Sequence, residues 1–148
     1  MQAIEKIGVI TAPLATITNY TFCYCPNLIK IGGFIAPKSN NLYGLFTTCR
    51  KLVEITQPLD ISNATSIGEM FLHCSALEEV RFIEGCIHIS ISINRSPYLS
   101  DNSVQSIING LADLTGKTAQ VLSLDASVKE KLTDEQITRI TSKNWTLA

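Results

Sequence analysis

Three segments of this chain align without a gap: FCYCPNLIKI at 22–31, FTTCRKLVEI at 46–55 and FLHCSALEEV at 71–80. All three read Phe-x-x-Cys-x-x-Leu-x-x-Ile/Val. Phe22, Phe46 and Phe71 are 24 and 25 residues apart. Cys25, Cys49 and Cys74 share that register, as do Leu28, Leu52 and Leu77, then Ile31, Ile55 and Val80. IEKIGV at 4–9 matches LEEVRF at 77–82, and Ile4 precedes Leu28 by the same 24 residues. This repeat constrains the fold more than any other feature. One such unit cannot bury its apolar face alone, so the copies must stack.

The period, with Leu-x-x-Ile-x-apolar in each copy, is the leucine-rich-repeat pattern. It predicts a parallel sheet on one face, since side chains alternate along a strand. Val80 and Phe82 then point inward, and Glu79 and Arg81 outward. The preceding Phe-x-x-Cys-x-x-Leu has period three, which predicts short helices or 3₁₀ turns on the other face. Phe22, Cys25, Leu28, Phe46, Cys49, Leu52, Phe71, Cys74 and Leu77 form the expected repeat core, with the cysteines in a column. The outward positions give a mixed-charge ladder, and Lys6, Lys30, Glu54, Thr56, Glu79 and Arg81 are its candidate binding residues. Gly8 and Gly32 fill the remaining outward places.

The copies resemble the BspA-type leucine-rich repeats of gut-bacterial surface, phage and prophage proteins. Met70-Phe71-Leu72-His73-Cys74 fits that family's Met-Phe-x-x-Cys element best; the other copies carry Thr21 and Leu45 in place of Met70, and IKIGGF sets Phe34 one place late. The expected fold is an α/β leucine-rich-repeat solenoid over residues 4–86, beginning with a partial copy at 4–10, and closed by an irregular α/β capping unit over 87–148. The closing segment LTDEQITRITSKNWTLA is similar to that of many such phage-encoded proteins. The array starts within a copy at Ile4, so its first core edge is expected either to pair with another chain or to fray.

After Phe82 the period is lost. IHISISI at 87–93 alternates as a strand does. Ser100 or Asp101 can cap a helix carrying Val104, Ile107, Ile108 and Leu111, which breaks at Thr115-Gly116. AQVLSL at 119–124 reads as a strand. Thr133 and Gln136 form a capping box for a second helix with Ile137 and Ile140 inward. WTLA closes the chain as a short strand, with Trp145 as a lid over the last core layer.

No catalytic constellation outlasts the repeat. His73-Cys74 has the residue types of a nucleophile and its base, but Cys74 is explained by its column, and neither Cys25 nor Cys49 has an adjacent histidine. No Cys-x-x-Cys pair occurs, and a column spaced by whole strands is too long for one tetrahedral zinc. Five cysteines cannot all pair within one chain, so reduced thiols are expected, although a disulfide between adjacent copies in an oxidising compartment is geometrically thinkable. His88 lies on an alternating strand, and Asp134-Glu135 suit a helix start. IGG at 31–33 and LTGKT at 114–118 lack phosphate-loop spacing. NYT, NAT, NRS and NWT are formal glycosylation sequons.

The bulk numbers agree. The 148 residues suffice for one domain. With 12 basic and 13 acidic residues dispersed along the chain, no basic stripe marks a nucleic-acid partner. No apolar run approaches the roughly 20 residues of a membrane helix. The first residues imitate a signal peptide poorly, because Glu5 and Pro13 interrupt it. The expectation is a non-catalytic module without a cofactor or metal. It would bind a protein or glycan on a host or cell surface through the ladder, in a virion, tail or bacterial-surface setting implied by the resemblance. The alternative is an assembly component of a virion or tail-like particle, docked on other subunits or on its own copies.

Overall fold

The computed structural model describes residues 4–148. The chain forms a small α/β protein with two separate parallel sheets. In the first, β1 (Lys6–Thr11), β2 (Lys30–Ile35) and β3 (Glu54–Ile55) lie in that order. Their register is the sequence period itself: Lys6 pairs with Lys30, and Lys30 with Glu54. The third copy adds only single bridges, Glu79 to Glu54 and Phe82 to Leu59.

The Phe-x-x-Cys segments form neither α-helix nor 3₁₀-helix. Each is a run of turns with a left-handed residue two places before its Phe and another two places after it: Tyr20 and Tyr24, Gly44 and Thr48, Glu69 and His73. A left-handed residue breaks a right-handed helix and costs roughly 1–2 kcal/mol unless it is glycine. It also swings the peptide groups out towards the neighbouring copy. Tyr20, Phe22 and Tyr24 donate their N–H groups to Tyr43, Leu45 and Thr47, and Gly44, Phe46 and Thr48 donate to Gly68, Met70 and Leu72. The turns are thus laced together between copies, and the phenylalanines stack. Phe22 and Phe46 have ring centroids 5.3 Å apart, and Phe46 and Phe71 5.8 Å.

The first sheet ends against a helix. Helix α1 (Asp101–Gly110) is capped by Ser100, whose hydroxyl accepts from Ser103 N–H. Val104, Ile107 and Ile108 face the core. Its Ser103 hydroxyl accepts from Val80 N–H at 2.9 Å and donates to Glu78 C=O at 2.9 Å, and Ser106 accepts from Phe82 N–H at 3.0 Å. These hydroxyls occupy the backbone groups that a further parallel strand would use. At the other end of α1, the Lys143 ammonium donates to the Ile108 and Leu111 carbonyls at 3.2 and 2.6 Å. Burial, helped by nearby Arg139, pulls the Lys143 pKa down.

Beyond α1 the second sheet assembles from β4 (Ile91–Ile93), β5 (Gln120–Leu124) and β6 (Trp145–Leu147), all parallel. The one-turn helix α2 (Ala126–Lys129) and helix α3 (Asp134–Ser142) lie between β5 and β6. Thr133 and Gln136 make both bonds of the capping box. Trp145 is buried, and its indole N–H donates to Ala112 C=O at 2.9 Å. One apolar core runs from Phe22 to Trp145 past both sheets.

The expected leucine-rich-repeat solenoid with its α/β C-terminal cap is therefore corrected. Two three-stranded sheets and three short helices replace one continuous sheet backed by a helix or 3₁₀ turn in each copy. The left-handed residues exclude helix within the copies, and the α1 hydroxyls stop the first sheet. The strand expected over 87–93 shortens to Ile91–Ile93, with Ile87 bridged to Leu111 instead. Helix α2 has no counterpart in the sequence reading, because four residues are too few to show a helical period.

Ser103 is fully buried, so Ser103→Ala leaves the buried Val80 N–H without its partner, while the Glu78 carbonyl keeps its bond from Ser100 N–H. The substitution is expected to cost about 1–3 kcal/mol, read as a lower urea midpoint with an unchanged slope. An unchanged midpoint would show that α1 is not held to the sheet through this hydroxyl.

Candidate functional site

The candidate residues lie on the outer face of the first sheet, because β-strands send alternate side chains outward. Lys6 and Arg81 are exposed, and Lys30, Glu54 and Glu79 are half-buried. Parallel in-register pairing sets Lys6, Lys30, Glu54 and Glu79 side by side in one row. Two like-charge neighbours would repel, and the row is relieved at its centre. The Lys30 ammonium meets a Glu54 carboxylate oxygen at 2.8 Å, and Thr56 donates to the other oxygen at 2.8 Å. These two bonds hold the Glu54 carboxyl below its ordinary range. Glu79 accepts a longer bond, 3.3 Å, from Ser103.

Glu54, Thr56, Glu79 and Arg81 line an open hollow of about 280 Å³, together with Ile55 and Asn102. Lys6 is not part of its lining, and Lys30 reaches it only through Glu54. The structure thus brings four of the six candidates together. Asn102 completes the wall from the first turn of α1, and nothing in the sequence marks it, since α1 meets the third copy only through the fold. Lys30–Glu54 is the one ion pair among the described residues, so the Arg81 guanidinium keeps its planar fork of donors for an incoming acceptor. The hollow offers carboxylate and hydroxyl acceptors beside guanidinium and amide donors. Within it the Thr56 hydroxyl is already engaged as a donor to the Glu54 carboxylate.

The repeat-core residues have a different task. Phe22, Leu28, Phe46, Cys49, Leu52, Phe71, Cys74 and Leu77 are buried, and Cys25 is partly so. The sequence reading takes the cysteines as small apolar fillers, and the structure adds a bond. The Cys49 thiol donates to Phe22 C=O at 2.9 Å, and the Cys74 thiol to Phe46 C=O at 3.1 Å. Each thiol therefore bonds a carbonyl of the preceding copy: that of Phe22, which has no backbone donor among the described bonds, and that of Phe46, which also accepts from Cys49 N–H. His73 is one of the left-handed residues, and Cys74 is spent on Phe46, so the pair is a backbone device. His88 sits half-buried, with Nδ1 3.2 Å from Cys86 C=O. Among the described residues all five cysteines are free, and no three His, Cys, Asp or Glu side chains are grouped to hold a metal ion. Among them too, no helix is long and apolar enough to cross a membrane.

No protein-family model, curated protein or solved structure matches this chain. What the outer face can do is set by its own geometry.

Two measurements probe that geometry. Glu54 is held ionised more readily in the fold than in the open chain, so its contribution is present above the ordinary 4.5 and is lost as pH falls through the lowered folded value. The pair is about a third to two-fifths exposed and so screened by solvent, and Lys30→Met is expected to cost under about 1 kcal/mol at neutral pH, with the difference shrinking in acid. A difference that does not shrink as pH falls below 4.5 would mean that packing, not charge, was lost. Burial pushes the thiols of Cys49, to about 11, and of Cys74 and Cys86 upward. Iodoacetamide at pH 8 is expected to modify part-exposed Cys23 and Cys25 in the native protein and the other three only after unfolding. Mass spectrometry showing early labelling of Cys74 would contradict the buried column.

Proposed function

We propose that this protein is a non-catalytic recognition module that binds a protein or glycan on a cell surface through the outer face of its first sheet. The observation that carries the reading is the hollow bounded by Glu54, Thr56, Glu79, Arg81 and Asn102. It is open and built of donors and acceptors, and its unpaired guanidinium suits a carboxylate or another planar acceptor. The backbone beneath it is held in register, with Glu54 on β3, Glu79 bridged to Glu54 and Asn102 on α1, and with Thr56 and Arg81 in the segments that adjoin them. The setting, a phage or prophage particle or a bacterial surface with its partner on a host cell, follows from the resemblance of the Cys copies to BspA-type proteins.

A second reading is an assembly component of a virion or tail-like particle. The exposed apolar side chains on and near β1, among them Val9, Leu14 and Ile17, favour it, since large apolar patches mark protein contacts.

Labelled protein applied to intact gut-type bacteria and to a glycan array tests the first reading. Arg81→Glu combined with Glu79→Lys is expected to lower binding at least tenfold while leaving the unfolding midpoint within about 0.5 kcal/mol of wild type. Binding that survives the double reversal would remove the hollow as the contact. No binding by either protein, with wild type found only in a larger complex, would favour the assembly role.

A further inference from the structure

The hollow on the outer face carries charge of both signs in balance. Glu54 and Glu79 supply two negative charges, Arg81 supplies one positive, and Lys30 adds the other through its 2.8 Å bond to Glu54. Part of this chemistry is already spent. Both Glu54 oxygens are engaged, one by Lys30 and one by Thr56. Glu79 accepts from Ser103 on one oxygen, at 3.3 Å, and its other oxygen has no partner among the described residues. Among the described bonds, the Arg81 guanidinium and the Asn102 amide have no partner either. What stays open is a carboxylate oxygen on one residue and N–H donors on two others.

We propose that the hollow receives an uncharged sugar ring, a neutral hexose or an N-acetylated amino sugar at the end of a surface glycan. This occupant presupposes the binding role proposed for the outer face and names what that face holds. A carboxylate only accepts and an ammonium only donates. An anionic group set against Arg81 would lie beside the Glu54 and Glu79 carboxylates. A cationic one set against Glu79 would lie beside Arg81. Attraction and repulsion then offset each other, which is how a site rejects the wrong charge. A sugar hydroxyl both donates and accepts. It can give its proton to Glu79 and take an N–H from Arg81, with no like charges opposed. An acetamido group does the same with its N–H and its planar carbonyl.

The size points the same way. At about 280 Å³ the hollow lies just under the roughly 300–1,000 Å³ of ordinary small-ligand pockets, which suits one ring. A protein partner would spread over about 800 Å² and would seat an apolar anchor. The hollow has no place for one, since Ile55, its only apolar lining residue, is 1% exposed. No aromatic ring lines it, so a single sugar is held by hydrogen bonds, with an expected Kd of about 1–10 mM.

Backbone ¹⁵N–¹H NMR of the full chain, titrated near pH 6, tests this. The glucose, galactose and mannose rings are each used as the methyl glycoside, the N-acetylated amino sugar, the free amino sugar and the uronate. At least one neutral form is expected to shift the amide signals of Glu54, Thr56, Glu79, Arg81 and Asn102, and to bind at least fivefold more tightly than the charged forms of its ring. Raising the salt tenfold is expected to change that affinity less than twofold, because no net charge is neutralised. Glu79→Gln keeps an oxygen for Ser103 but leaves the hollow positive, and is expected to turn the preference to the uronate. Tighter binding of a uronate or an amino sugar by the wild type, or a preference unmoved by Glu79→Gln, would overturn the proposal. So would the absence of any shift from all the neutral rings. Should cell binding still be lost in the Arg81→Glu, Glu79→Lys double variant, that last result removes the sugar and keeps the outer face as the contact. Should cell binding be absent as well, both fall.

Discussion

The structure depends on dividing the backbone bonds of the turn segments: alternate N–H groups cross to the next copy, as from Gly44, Phe46 and Thr48, and those between them close turns within their own, as from Leu45, Thr47 and Cys49. Each Phe is flanked by two left-handed residues, and in the first two copies, at Phe22 and Phe46, the pair turns peptide groups towards the next layer. The Phe N–H then finds a carbonyl in the following copy, and the Phe C=O finds the thiol of the Cys one copy on. A buried carbonyl without a partner costs free energy comparable to a lost hydrogen bond. The thiol is small enough for the column and still donates, which alanine or valine could not do. The non-glycine left-handed residues are tolerated because the bonds they create outweigh their cost. The stacked phenylalanines fill the space so formed.

The same logic explains where the first sheet stops. A parallel sheet grows while its edge offers free N–H and C=O groups. At the third copy those of Glu78, Val80 and Phe82 are taken by side chains and backbone from Ser100, Ser103 and Ser106. Serine is the residue that can do this from a helix, since one hydroxyl both accepts and donates. Covering the edge this way also blunts it against unwanted pairing. A consequence lies on the outer face: the helix that ends the sheet brings Asn102 to the hollow, so the end of the sheet and the wall of the candidate site are one feature.

Much of the local structure was legible beforehand. Alternation located β5 and β6 to within a residue or so, and the Thr133–Gln136 spacing located the start of α3, because these signals are local. The Ser100 cap and the spacing of Val104, Ile107 and Ile108 did the same for α1. The period-three segments misled. Phe-x-x-Cys-x-x-Leu has the same spacing in a helical turn and in a chain of turns, and periodicity alone does not separate them. On the outer face, strand parity placed Glu54, Thr56, Glu79 and Arg81 on one side, but it also gave Lys6 equal weight with them, although Lys6 lies outside the hollow.

The sequence by itself determined the stacking period, the residues that form the Phe and Cys columns, and the side of the strands that faces water. These follow from repetition and from the two-residue alternation of a strand, both of which are properties of the chain alone. Only the tertiary structure decided that the array divides into two sheets, that the thiols serve as hydrogen-bond donors, and that Arg81 and Asn102 share a hollow. Each of these depends on which distant group arrives at a given backbone atom. Ser103 is 23 residues from the Val80 N–H it receives, and Cys49 is 27 from the Phe22 carbonyl it satisfies. No local pattern encodes such a meeting, because its free energy is realised only when both partners have left water together.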